Sequence, residues 1–587
     1  MMYFDPSMDQ LNIVFDTEMA PPHERFGLVW EEDTQPEPVI TMANRLFPSL
    51  KPLSELDIPG ESGSPTHYII EGDNYHALTT LNMTHQGRVD AIYIDPPYNT
   101  EQTGLRYTDR TGGKTPTQKH SRWLSFMYHR LRLAKDLLTD DGVLFISIDD
   151  REMAHLKLLC DGIFSAKNFI GNFVWVNRTT PNDAANRFAT DHEYVLVYAR
   201  HRQHFRLKGV PKDLVKYVNR DDDPRGPWMP DNPSAASGTE KDRFPIKNPH
   251  TEEVYYPPAG RYWAFAQRRV KEWVDSGKLV FPKEPGKKFL LKKYRTELKS
   301  DTKPASSLIQ GILTAQGTKE LKQLFGSGSP IKYPKPVALV KYLLGLLDKK
   351  NGIFLDFFAG SGTLGQAVLE LNREDGGQRN FIVCNNNEND ICREVLYPRI
   401  RKLLEGYTVT ATKKDILYQK KMSLNDLTQG SDILAQLSDL SEQHQQDYDE
   451  IRKSLKNNTV TLEGLKKGPV KVKGCSDTLR YYQALFLPPQ DLRIRQACAD
   501  LVAFMEGAFV PLQVHLNYQA HRSDTALVII CFEGRYGFEA IGRHIEQATL
   551  PVKVYVFHAE DYHTAREKFG QALVAYVPPK MKQLFTA

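Results

Sequence analysis

Val89-Asp90-Ala91-Ile92-Tyr93-Ile94 is short, apolar and β-branched, the composition of a strand buried on both faces of a parallel sheet. It runs directly into Asp95-Pro96-Pro97-Tyr98-Asn99-Thr100. Two successive prolines can neither extend a strand ladder nor enter a helix interior. The chain therefore holds a carboxylate at the carboxyl end of a buried strand, where open α/β sheets bind their ligands. The rigid turn sets the Tyr98 ring and the Asn99 amide beside Asp95, a group suited to a flat substrate that carries an amino group.

The flanking sequence alternates strand and helix patterns, which predicts a layered α/β sheet. HYIIEGDN (67–74) reads as a strand and 75–83 as a helix, completing a β-α-β unit with 89–94. A helix capped by Ser121 follows, with Leu124, Met127, Leu131, Ala134 and Leu138 on one face. Strands are expected at 143–149, 172–177 and 193–199, with a helix at 151–164 and a polar loop at 178–192. The segment 103–120 reads as a mobile loop. Its Gly113-Lys114-Thr115 fails as a phosphate loop, because the first glycine of that motif would fall on Thr108.

Farther on, Gly352-Ile353-Phe354-Leu355-Asp356-Phe357-Phe358 reads as a second buried strand, and Ala359-Gly360-Ser361-Gly362-Thr363 as a glycine turn opening a helix. Gly360, Gly362 and Gly365 meet the GxGxxG spacing of an adenosine-cofactor turn. A dehydrogenase is the rival reading. No clear acidic residue stands at a strand end about 20 positions on, and DPPY has no role in such an enzyme.

Domain limits follow the texture of the chain: an N-terminal arm at 1–64, a first α/β half at 65–204, an insertion at 205–325, and a second half at 326–420. A helical excursion with a return strand is expected at 421–487 and a small separate α/β domain at 488–587. The insertion mixes aromatics with lysine and arginine. Bases stack on aromatics while cations hold phosphates, so it suits nucleic-acid contact; a solvated basic face fits the same composition. The net charge of +4 decides nothing by itself. The six cysteines form no CxxC pair or disulfide framework and read as reduced thiols of a cytoplasmic protein. No basic leader and no run of about 18 apolar residues is present, so neither a signal peptide nor a membrane span is expected.

DPPYNT (95–100) followed far downstream by DFFAGSGT (356–363) resembles the S-adenosylmethionine-dependent amino-methyltransferases of DNA, in the permuted class whose catalytic motif precedes the glycine motif. IEGDN (70–74), WLSFMYHRLRLAKDLL (123–138), DHEYVLVYA (191–199), NPHTEEVYYPPAGRYW (248–263) and YPKP (333–336) are further similar to the modification (Mod) subunits of Type III restriction-modification systems. The resemblance covers about 67–405. It implies a Rossmann-like methyltransferase sheet of permuted motif order, an inserted target-recognition domain at 205–325 and the small C-terminal α/β domain.

The same resemblance implies N6-adenine methylation of duplex DNA by base flipping, with N4-cytosine methylation or a non-catalytic DNA-recognition subunit as alternatives. Asp95 and the Pro96 carbonyl accept the amino hydrogens, Pro97 holds the turn, and Tyr98 stacks on the base. S-adenosylmethionine is held by Asp356, Phe358, Gly360 and Gly362, with Asp73 and Asn74 at the adenine end and Lys335 and Pro336 at the methionine end. Either Asn385 or Glu388 serves the ribose hydroxyls. Asp73 is also a preferred helix cap. No metal is implied. A carbon-5 cytosine enzyme would need a nucleophilic cysteine after a proline, and none of the six has one. Partners implied are double-stranded DNA, a restriction/helicase subunit and a second copy of the chain.

Overall fold

The computed structural model describes residues 37–100, 116–179, 189–326, 330–423, 426 and 430–586. The first 36 residues of the expected arm, the loop at 103–115 with its Gly-Lys-Thr, most of the loop at 178–192, and Leu424 and Leu427 lie outside the described residues. Two compact units result, one within Met1–Arg206 and Ser306–Ala587, the other Leu207–Ala305.

The first unit is built on a ten-stranded sheet. In chain order its strands are β1 (Phe47–Pro52), β2 (Thr66–Glu71), β3 (Val89–Ile94), β4 (Leu138–Ile148), β5 (Phe169–Val176), β6 (His192–Ala199), β7 (Leu308–Ile309), β8 (Asn351–Asp356), β9 (Gln378–Asn385) and β10 (Thr478–Leu487). Across the sheet they run β1-β10-β2-β9-β8-β3-β4-β6-β5-β7. The six from β10 to β4 are parallel. β1 and β6 join antiparallel, β5 pairs antiparallel with β6, and β7 is parallel to β5.

The central strands are apolar because helices cover both faces. Ala91, Ile92, Ile94, Phe354, Leu355 and Phe381 to Cys384 are wholly buried. The one charge within β3, Asp90, is met by Lys349 Nζ at 2.9 Å and by the Ile353 N–H at 3.0 Å. Helices α1 (Asn74–Thr84), α2 (Pro116–Leu137), α3 (Met153–Phe164), α4 (Val337–Gly345), α5 (Thr363–Asp375) and α6 (Ile494–Glu506) pack around the sheet. Helix α2 buries Trp123, Leu124, Met127, Leu131 and Ala134 along one stripe. It starts at Pro116, so Ser121 lies inside it and caps nothing; proline suits the first helical turn.

The connection β3-α2-β4 extends the sheet to one side of β3, while β8-α5-β9 extends it to the other. β3 and β8 are direct neighbours, with Phe354 opposite Ala91 and Leu355 opposite Ile92. This is the topological switch point of the sheet, where the strand ends diverge and leave a crevice.

Three expectations are corrected. Residues 47–52 are not an irregular arm: they form an edge strand whose Phe47 pairs with Leu487, with Phe47 and Leu50 each 1% exposed. The excursion before β10 is mainly a β-ribbon, Gly406–Lys421 against Thr459–Lys473 against Glu450–Lys456, with one helix at Gly430–Gln443. Among the described residues of 422–456, the leucine spacing falls on a helix at Gly430–Gln443, and Glu450–Lys456 is a strand. The C-terminal segment forms a five-stranded sheet, but it is not separate: Val528, Ile530, Phe532 and Phe557 share one continuous core with α1 and α6.

The Leu207–Ala305 unit has its own core of Phe244, Ile246, Trp263, Phe265, Leu279, Phe281, Phe289 and Leu291. Most of its large aromatics therefore hold the unit together and are not free to stack on bases. Lys292, 4% exposed, is likewise internal, bonded to Asp221 and Asp223. Among the described residues no helix is long and apolar enough to cross a membrane. All six cysteines are free thiols.

Candidate active site

Both strand ends of the switch point open into one cavity of about 600 Å³, a volume typical of small-molecule sites. Asp73, Asn74, Asp95, Pro97, Lys335, Asp356, Phe358, Gly360, Asn385 and Glu388 all line it. Pro96, Tyr98, Pro336 and Gly362 are not among its lining residues. Pro336 sits at the N-cap of α4 and Gly362 at that of α5; Tyr98 reaches the cavity wall through its hydroxyl.

On the β3 side, Trp123 donates its indole N–H to the Pro97 carbonyl at 2.7 Å, fixing the proline turn from beneath. Asn99 has φ 57°, the left-handed region that asparagine tolerates. Its amide donates to Glu152 Oε1 at 2.7 Å. Glu152 is fully buried, and the Nδ1 atoms of His120 and His155 lie 2.7 and 2.9 Å from its two oxygens. These are hydrogen-bond lengths, and they make Glu152 the knot that ties the end of the DPPYN turn to α2 and α3.

Asp95 does not stand alone. Lys335 Nζ donates to Asp95 Oδ1 at 2.8 Å and to the Tyr98 hydroxyl at 2.9 Å, and lies 3.3 Å from Glu193 Oε2. Tyr98 donates to Glu193 Oε2 at 3.0 Å, and Asn177 donates to Glu193 Oε1 at 2.8 Å. Burial pushes the Asp95 carboxyl above its ordinary value, against the pull of Lys335. Burial also opposes the Lys335 charge, but Asp95 and Glu193 outweigh it and hold the ammonium above its usual value.

On the β8 side, Asp356 accepts from the Phe358 N–H at 2.9 Å, and burial holds its carboxyl well above the ordinary range. Gly360 and Gly362 have φ of 51° and 83°, conformations that cost a side chain about 1 kcal/mol or more. At Gly365 a Cβ would fall 2.6 Å from Ile400 Cδ1, so the third glycine serves close helix packing. The Asn385 amide donates to the Gly360 carbonyl at 3.4 Å.

At the floor, Asp73 caps α1 by accepting from the Tyr75 N–H at 2.8 Å. Asn74 donates to the Phe357 carbonyl at 2.9 Å, linking the start of α1 to the chain just past β8. The buried guanidinium of Arg130 binds Asn74, Asp73 and both oxygens of Glu37. Sequence reasoning missed Arg130, Glu152 and Glu193. The nearest signal was a charge within an otherwise apolar strand or helix face, and such a charge is more often solvated than buried.

A family model described as DNA methylase matches residues 89–394, just over half of the chain. The Type II methyltransferase M.KpnI of Klebsiella pneumoniae is 32% identical over 366 residues, covering 58% of this chain and 83% of the relative. The StyLTI Mod subunit of a Type III restriction-modification enzyme from Salmonella typhimurium is 33% identical over 350 residues, covering 55% and 53%. The EcoP15I Mod subunit of Escherichia coli is 29% identical over 389 residues, covering 55% and 58%. The chain thus spans somewhat more than half the length of these Mod relatives. With the β3 and β8 motifs joined at one crevice and a family match that runs through both, the chain belongs to the DNA methylase family.

Proposed function

We propose that this protein transfers a methyl group from S-adenosylmethionine to the N6 amino group of adenine in duplex DNA, as the modification component of a restriction-modification system. The observation that carries the reading is the shared cavity, in which the Asp95 carboxylate and the Gly360 turn face one space at the switch point.

The lining fits such a donor. The cofactor supplies a methyl group on a cationic sulfonium, and Asp73, Asp95, Asp356 and Glu388 give the cavity an acidic wall. Lining residues Asn385 and Glu388 suit the ribose hydroxyls, and the glycine turn permits close approach of backbone to ligand. Asp73 and Asn74 border the adenine end. Lys335 reaches Asp95 directly, so its side chain serves the reacting end of the pocket, while Pro336 opens α4 behind it.

The target base enters the pocket flipped from the duplex. Asp95 and the Pro96 carbonyl accept its amino hydrogens, which aims the nitrogen lone pair at the methyl group, while the Tyr98 ring packs on the base. Positioning supplies most of the acceleration in a direct displacement of this kind. The Leu207–Ala305 unit, lying in the segment that resembles the Mod insertion, serves target recognition. Pairing with a restriction/helicase subunit and with a second copy completes the proposal, by similarity to the Mod subunits.

The test is methyl transfer from labelled S-adenosylmethionine to duplex DNA, with single-molecule sequencing of DNA from cells that express the protein. N6-methyladenine at one recurrent site is the expected result, lost in Asp95→Ala. N4-methylcytosine would overturn the adenine assignment. Absence of transfer to every duplex tried would leave a non-catalytic DNA-recognition subunit.

A further inference from the structure

The cluster around Lys335 holds more charge than acceptor geometry requires. One ammonium stands among two carboxylates and a phenol, all within 3.3 Å of Nζ. Asp95 and Glu193 together with Lys335 leave one net negative charge. Lys335 and Glu193 are mostly covered, at 10% and 18% exposed, where charges interact more strongly than in bulk water.

An ammonium paired with Asp95 alone would oppose amino-group methylation on two counts. It competes for an acceptor that the amino group needs, and it would cancel the charge of Asp95, which faces a nitrogen that becomes positive during transfer. Glu193 answers the second, because it gives Lys335 a further anionic partner and restores the negative charge while Lys335 stays bonded to Asp95 Oδ1. Asn177 and Tyr98 donate to separate oxygens of Glu193, which fixes the carboxylate in that position.

Resting on the proposed transfer reaction, we infer that Glu193 is a positioning residue. It shares Lys335 with Asp95, so that the ammonium does not neutralise Asp95 by itself, and it leaves the Asp95–Lys335–Glu193 cluster one charge negative beside the transfer site. Its place at the start of β6, antiparallel to β4, brings it to the DPPY turn from outside both recognised motifs.

Charge, not shape, is the discriminating readout. S-adenosylmethionine is cationic at sulfur and S-adenosylhomocysteine is not, so their affinity ratio reports the charge of the pocket. Glu193→Gln is expected to shift this ratio against S-adenosylmethionine by at least about threefold and to lower kcat at pH 8 by about 10- to 100-fold. Glu193→Asp, which keeps the charge, is expected to hold the ratio near the wild-type value. Tyr98→Phe removes the hydroxyl contacts with Lys335 and Glu193 but no charge, and is expected to move the ratio less than Glu193→Gln does.

Adding Lys335→Met to Glu193→Gln returns the net charge to one negative and is expected to recover the ratio. An unmoved ratio in Glu193→Gln, or a double variant with no recovery, overturns the inference. Wild-type protein that binds neither compound overturns both the inference and the proposed function. Wild-type protein that methylates DNA while Glu193→Gln keeps its ratio overturns the inference alone.

Discussion

Asp95 works as an acceptor only while ionised, and its surroundings pull its pKa in opposite directions. Burial raises it and Lys335 lowers it, with burial the larger. The acid limb of kcat/KM is therefore expected above the ordinary aspartate value of about 4. Activity is full at pH above the raised pKa and is lost as pH falls through it. Lys335→Met removes the lowering influence, so its acid limb is expected at still higher pH; pH-rate profiles of the two proteins check this, and a limb that stays in place or moves down counts against Asp95 as the titrating acceptor. At this scale the sequence was informative where chemistry is local. DPPYNT and GSGTLG each announce a strand end within a few residues. The contact of Lys335 with Asp95 spans 240 positions, and nothing local to YPKP points to it. Glu193 and Arg130 were illegible for the same reason, since a buried charge declares itself only through distant partners.

Among elements, α6 carries a cost that substitution can expose. Burial pushes the Asp500 carboxyl up to about 6, offset in part by Gln496, whose amide donates at 2.7 Å. A carboxyl raised in the fold contributes stability below its unfolded pKa of about 4 and loses it as pH rises through 6. Asp500→Asn retains an acceptor for Gln496 and is expected to stabilise the protein by about 1–2 kcal/mol at pH 8, a figure reduced for partial solvent access. The gain should shrink as pH falls from 6 to 4; urea unfolding at pH 8, 6 and 4.5 reads it, and a pH-independent difference would show that the carboxyl is not the cause. The central parallel strands were legible because both-face burial writes a continuous apolar run. β1 was not, since FPSLKP holds two prolines and acquires its strand character only by pairing with β10 at the edge. The ribbon at 406–473 hid for a related reason. Its long strands are largely solvated, so they lack the strict apolar alternation that marks a half-buried strand.

At the scale of the molecule, the C-terminal sheet and the methyltransferase sheet share one core, and histidines sit in it. His76 stacks on Phe486 with centroids 3.7 Å apart, and His85 lies 4.9 Å from the Phe504 ring. His521, 4% exposed, stands in the C-terminal sheet. Burial pushes all three down, His76 and His521 to about 4 and His85 to about 3. A histidine lowered in the fold stays neutral there, while the unfolded chain takes up its proton near pH 6.5. Stability is thus intact above about 6.5 and falls with pH until the folded values are reached. At pH 5 the loss amounts to about 2 kcal/mol per histidine, from 1.36 kcal/mol for each unit below 6.5. Because His76 in α1 and His85 at its C-cap pack against Phe486 of β10 and Phe504 of α6, in the core that the two sheets share, acid should loosen the whole Met1–Arg206 and Ser306–Ala587 unit cooperatively and not shed its C-terminal part first. Tm measured from pH 7.5 to 5 is expected to fall steeply, with fluorescence and circular dichroism moving together. His85→Leu, which cannot be protonated, should flatten the slope even if its Tm at pH 7.5 is lower. A slope unchanged by that substitution would move the origin of the acid sensitivity away from this interface.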